Sequence, residues 1–201
     1  TEIDTRQQEL NDAVRRAESR SREAVDLVRS LTDARGDAAE FHRWTGRARA
    51  AQDRVMDDLD RLARRVQGLL NLYVFNRLAD PAAADQILPW FERHLLQPAD
   101  RTANPFRGEL YLQLHQAQQE RRIRGGGTYG KLMEMADLAE RLASEHGPAA
   151  YRALGGTVQA TGDEVDEALR QAELHQRAVT EGLVRLARLR REWGIFASVA
   201  R

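Results

Sequence analysis

Cysteine is absent from the 201 residues, so the chain has no disulfide framework and no thiolate metal site. Lysine is nearly absent too, with Lys131 standing against 30 arginines. Aromatic residues make up 6% of the chain and β-branched residues are sparse, which argues against a β-rich domain. Net charge is missing as well: 31 basic and 31 acidic side chains cancel, which removes the bulk electrostatic case for nucleic acid or an anionic membrane as partner. Long hydrophobic runs are lacking. The longest uncharged stretches, such as residues 68–76, fall far short of the roughly 20 residues that span a bilayer, so the chain itself is not expected to insert into a membrane. Neither a signal peptide nor any other feature marks a compartment.

What is abundant is helix-forming. Alanine, leucine and arginine supply 84 of the 201 residues, and all three favour helix. The five prolines fall between residues 81 and 148, leaving residues 1–80 and 149–201 proline-free. Proline breaks helix interiors, so the distribution separates two helical arms from a punctuated centre. The expected fold is all-α: an elongated bundle of long antiparallel, coiled-coil-like helices with a cap of shorter ones. As one domain over residues 1–201, it divides into a long-helix hairpin (1–80), a short-helix central region (81–157) and a long C-terminal helix (158–201).

In the first arm Ile3, Leu10, Val14, Ala17, Ala24, Val28 and Leu31 follow the alternating three- and four-residue spacing of a packed helical seam, with Gln7 and Ser21 as polar interruptions. Gly36 breaks that helix, and Asp37 with Glu40 forms the start signal of the next. Phe41, Trp44, Ala48, Val55, Leu59, Leu62, Val66, Leu69 and Tyr73 continue the spacing until Asp80-Pro81. The centre reads as a helix over 81–96, a loop over 97–107, a helix over 107–123, three glycines, and a helix over 129–146 closed by Gly147-Pro148. A short turn with Tyr151 and Leu154 follows. In the last arm Thr161 and Glu164 make a capping box, and Val165, Ala172, Val179, Leu186 and Trp193 repeat every seven residues beside Leu169 and Leu183. Acids begin this arm, while Arg185, Arg188, Arg190 and Arg191 lie toward its end, which complements the helix dipole.

Trp44-Thr45-Gly46, between two long amphipathic helices, resembles the Trp-X-Gly hairpin of small type VII secretion substrates over about residues 1–79. The resemblance implies a secreted helical hairpin with its turn at that triplet. The Tyr-x-x-x-Asp/Glu export signal of that family is missing, since Arg77 follows Tyr73 at the fourth position.

Catalytic and cofactor chemistry finds little support. Residues 125–131 match the phosphate-loop spacing of glycines and lysine, but Leu132 replaces the magnesium-binding hydroxyl and no hydrophobic strand precedes the loop. The expected role is a hinge, with Arg121, Arg122, Arg124 and Lys131 as a weak anion or ligand candidate. His42, His94, His115, His146 and His175 stand on separate segments, no two of them three or four residues apart, so no helical metal pair is expected. No serine has the nucleophile-elbow context, and acid pairs such as Asp57-Asp58 read as a solvated face. Arginine clusters at 61–65 and 185–191 are interleaved with acids and read as paired surface helices.

The functional expectation is a non-enzymatic module without cofactor that mediates protein–protein assembly, as a homodimer or with a helical partner. The residues expected to carry the interaction seam are Leu10, Val14, Val28, Leu59, Leu62, Val66, Val179, Leu186 and Trp193. The alternative is a sensory or signalling bundle cut from a larger receptor, since helical patterns run to Ile3 and Val199. In that reading Trp90, Phe91, Tyr111 and Tyr151, with Arg121 to Arg124, are the place for a small ligand.

Overall fold

The computed structural model describes residues 2–85, 88 and 127–199. Three long helices dominate: α1 (Glu2–Asp33), α2 (Ala38–Phe75) and α5 (Asp163–Val199). At 1.5 Å per residue they reach about 48–57 Å. Between α2 and α5 in sequence, α3 (Thr128–Arg141) runs through a π-helical turn (Leu142–His146) into α4 (Gly147–Gly156). The α3–π–α4 rod is the fourth element of an up-down-up-down bundle, so this part of the centre forms a full layer. The sequence-predicted loop over 97–107 and helix over 107–123 lie outside the described residues, as does all but the start of the helix over 81–96.

Local chemistry accounts for the boundaries. Asp37 accepts hydrogen bonds from the Ala39 and Glu40 amides and starts α2 at Ala38, after a 3₁₀ turn at Ala34–Gly36. The turn of the α1–α2 hairpin is therefore at 34–37. Trp44-Thr45-Gly46 lies inside α2, and the turn implied by the secretion-substrate resemblance is not there. At its other end α2 stops at Phe75, earlier than Asp80-Pro81 suggests. Asn76 caps it through the Leu72 carbonyl, and Arg77 and Ala79 turn the chain in the left-handed region with φ of 50° and 64°. Asp80 then caps the next helical turn by accepting from the Ala83 amide. At the head of α5 half of the expected capping box forms: the Glu164 carboxylate accepts from the Thr161 amide at 3.5 Å, while Gly162 (φ 55°) makes the entry turn.

Gly147-Pro148 does not end a helix. The Gly147 amide bonds back five residues to the Leu142 carbonyl, so the ladder widens by one residue where Pro148 has no N–H to offer, and the helix continues to Gly156. Tyr151 and Leu154 are therefore helical residues.

Among the described residues the core forms two contiguous apolar clusters. One gathers Leu10, Val14, Leu59, Leu62, Val66, Tyr73, Tyr129, Leu132, Leu186 and Trp193; the other gathers Val28, Leu31, Ala48, Leu154, Val165, Leu169 and Ala172. A polar layer lies where they meet. Gln176 donates to Gln52 Oε1 at 3.1 Å and Gln52 donates to the Gly147 carbonyl at 3.2 Å, both glutamines being buried. Ser21 and Thr180 share a 2.8 Å hydrogen bond between α1 and α5.

Three glycines predict opposite outcomes for one substitution. Gly46 and Gly68 are exposed on α2 and an added Cβ meets nothing within 4 Å. Gly46→Ala and Gly68→Ala are each expected to raise the unfolding free energy by about 0.5–1 kcal/mol. At Gly182 on α5 the Cβ falls 2.6 Å from Cδ2 and 3.2 Å from Cγ of Leu142, a buried residue of the π turn. Gly182→Ala is expected to cost about 1–3 kcal/mol despite alanine's better helix propensity. Urea midpoints of the three variants check the signs. A Gly182→Ala protein as stable as its parent would mean that Leu142 repacks freely.

Candidate functional site

All nine residues of the sequence-predicted seam are buried within this chain's own core: Leu10, Val14, Val28, Leu59, Leu62, Val66, Val179, Leu186 and Trp193. The seam is satisfied among α1, α2, α5 and the α3–π–α4 rod, because three long amphipathic helices and a fourth rod are enough to cover each other's apolar stripes. Ser21, one of the polar interruptions of the first arm, finds its hydrogen-bond partner within the same chain, in Thr180. It follows that Val14→Asp and Val28→Asp test folding and say nothing specific about association.

Of the anion candidates, Arg121, Arg122 and Arg124 lie outside the described residues. Lys131 belongs to the first turn of α3 and its Nζ is 2.6 Å from Glu192 on α5. That hydrogen bond holds the Glu192 carboxyl below its ordinary pKa, so the ammonium charge is already matched. The second half of the glycine-rich loop is thus helical. It is anchored by Tyr129, whose buried hydroxyl faces the Tyr73 carbonyl at 2.7 Å and the Leu78 carbonyl at 2.9 Å. Burial, reinforced by Asp80, pushes this phenol well above its ordinary value. Of the proposed ligand aromatics, Tyr151 is described and is engaged by Arg49, which stacks 5.4 Å from its ring and donates to its hydroxyl at 3.4 Å. Trp90, Phe91 and Tyr111 lie outside the described residues.

Two expectations about charged and titratable groups need correction. Asp58 is not on a solvated face: it is buried and ion-paired with Arg20 of α1 at 3.0 Å. The histidines are not all isolated either. His146, last residue of the π turn, and His175 of α5 bring their Nδ1 atoms to 3.4 Å, with ring centroids 5.7 Å apart. Desolvation, then the charges of His146 and Arg152, lower the pKa of His175. Spacing along the chain could not reveal this pair, since 29 residues separate its members. No family model, curated protein or solved structure matches the chain. His42 is exposed on α2.

The outer surface carries an open groove of about 630 Å³ along α1, closed at one side by Trp44 of α2. Arg15, Glu18, Arg22 and Asp26 line it at helical three- and four-residue spacing. Half-buried Leu27 and Trp44 form its apolar side, and Arg47 stacks on the Trp44 ring at 4.9 Å. Among the described residues no helix is long and apolar enough to cross a membrane.

Proposed function

We propose that this chain is a non-enzymatic helical assembly module whose partner is a second copy of itself, docked on the outer face of α1. The observation that carries the reading is the order of signs along the groove. Arg15, Glu18, Arg22 and Asp26, at three- and four-residue spacing, run plus, minus, plus, minus, while Glu23, which also lines the groove, stands 4.0 Å from Arg54 of α2. Reversed, that strip reads minus, plus, minus, plus, so an antiparallel copy related by a two-fold axis sets Glu18 against Arg22 and Arg15 against Asp26 on both sides. Leu27 and Trp44 supply the apolar contact beside it.

Exposed ion pairs contribute about 0.2–1 kcal/mol each and are screened by salt, so the expected dimer is weak and salt-sensitive. Sedimentation equilibrium at about 50 mM and about 500 mM salt tests it, with dimer at the lower value and monomer at the higher. Glu18→Arg is expected to dissociate the dimer by setting like charges together. Adding Arg22→Glu restores complementarity and should bring the dimer back. A monomer mass at every concentration and salt, or a dimer indifferent to Glu18→Arg, overturns the reading.

A further inference from the structure

His146 and His175 meet at the one place in the described bundle where the helix ladder is widened. The π turn shifts the phase of the rod by about 100° relative to an uninterrupted helix. That shift is held in place on both sides. Gly147 is pressed between the Leu142 carbonyl and Leu59 Cδ1, each 3.1 Å from where a Cβ would stand, and Gly182 of α5 leaves the space that Leu142 fills. His146 is thus positioned by a packed π turn and His175 by a long helix, two rigid elements rather than a loop.

The distance between the rings is informative. At 3.4 Å the two Nδ1 atoms stand at the outer limit of a hydrogen bond, and one neutral imidazole donating to another at that length gains little. Metal–nitrogen bonds of about 2.0–2.1 Å hold two nitrogens about 3.3–3.4 Å apart at the tetrahedral angle of Zn²⁺ and about 2.8–3.0 Å apart at the right angle of Cu²⁺ or Ni²⁺. The rings match Zn²⁺ as they stand and reach Cu²⁺ or Ni²⁺ by closing about 0.5 Å. Both histidines are half-buried. We propose that His146 and His175 form a two-imidazole site for a borderline divalent transition cation, Cu²⁺, Ni²⁺ or Zn²⁺. Water completes the coordination, since no group of three or more His, Cys, Asp or Glu suited to a metal occurs among the described residues. Imidazole nitrogen selects these cations over Mg²⁺ and Ca²⁺, which prefer oxygen. The positive charge of Arg152 acts on His175 and weakens the site.

The test is a calorimetric titration of untagged protein with CuCl₂, with electron paramagnetic resonance of the one-to-one complex. One equivalent is expected to bind with hyperfine coupling from two nitrogens, and binding should weaken as pH falls through the imidazole range, because protons compete for both ligands. His146→Ala and His175→Ala each remove a direct ligand, so each should lower the affinity at least as much as loss of a second-sphere group does, roughly 10–100-fold. His42→Ala should leave it unchanged. NiCl₂ should raise the melting temperature of the parent but not of His146→Asn or His175→Asn, which keep a polar side chain and test the same loss without a cavity. Copper bound equally by the parent and both alanine variants, or coupling to a single nitrogen, overturns the proposal.

Discussion

Trp193→Ala is expected to lower the unfolding free energy by about 3–5 kcal/mol, the range for removing a large aromatic side chain from a packed core. Trp193 is 1% exposed and lies late in α5, where its ring meets the edge of Tyr73 from α2 at 5.5 Å between centroids. Tyr73 in turn meets Tyr129 of α3 at 6.4 Å, and Tyr129 is tied to the backbone at the end of α2. The three rings join α2, α3 and α5 at one end of the bundle, so the cavity left by alanine cannot be closed by moving one helix without disturbing the other two. For a domain of this size the loss corresponds to roughly 6–20 °C in melting temperature. Trp193→Phe separates two contributions. It keeps an aromatic face against Tyr73 and removes an indole N–H that has no hydrogen-bond partner among the described residues. Burying an unpaired donor is costly, so the phenylalanine variant should be much less destabilised than the alanine variant. Urea unfolding of both checks this, and equal losses would show that ring size and the buried N–H do not offset each other here.

Periodicity reveals what repeats. Leu10, Val14 and Val28, Leu59 to Val66, and Val179 to Trp193 were legible because a seam that must be buried along some 50 Å of helix leaves a regular mark in sequence. The π turn was not legible, because Gly147-Pro148 has the composition of a helix stop and only the five-residue hydrogen bond to Leu142 shows that the helix continues. Everything that depends on the phase of that turn was hidden with it. The meeting of His146 and His175 requires both the widened turn and a particular rotation of α5. The sign of Gly182→Ala requires knowing where Leu142 goes. Asp58 reads as a solvated acid until its partner Arg20, on another helix, is known. A break in pattern did announce one of the missed residues. Gln176 occupies the position between Leu169 and Leu183 where the partner set calls for an apolar side chain. A polar residue at such a place either faces water or has a buried partner, and here the partner is Gln52.

That pair carries the second large effect. Gln52→Leu is expected to cost about 2–4 kcal/mol, because it leaves the Gln176 amide and the Gly147 carbonyl without their partner in the core, each at about 1–3 kcal/mol. Gln176→Leu is expected to cost less, since Gln52 keeps its bond to Gly147 and the Gln176 Oε1, unpartnered among the described residues, is removed with it. The double variant Gln52→Leu/Gln176→Leu should be more stable than Gln52→Leu but still about 1–3 kcal/mol below the parent, because the Gln176 amide is no longer stranded while the Gly147 carbonyl still lacks its side-chain partner. The coupling measured by this cycle should therefore be about 1–3 kcal/mol, against near-additivity for residues that do not touch. Additive losses would mean that each amide finds other partners. Stability is not the whole effect of the pair. Its bonds link α5 to α2 and α2 to the residue that follows His146, and they lie where the two apolar clusters meet. A buried polar contact of this kind fixes axial register at a cost in stability, as a single polar residue does in a coiled coil. The double leucine variant should thus recover part of the stability lost in Gln52→Leu yet lose slow hydrogen exchange at the π turn. Since His146 is held by that same turn, its copper affinity should fall even though neither histidine has been changed.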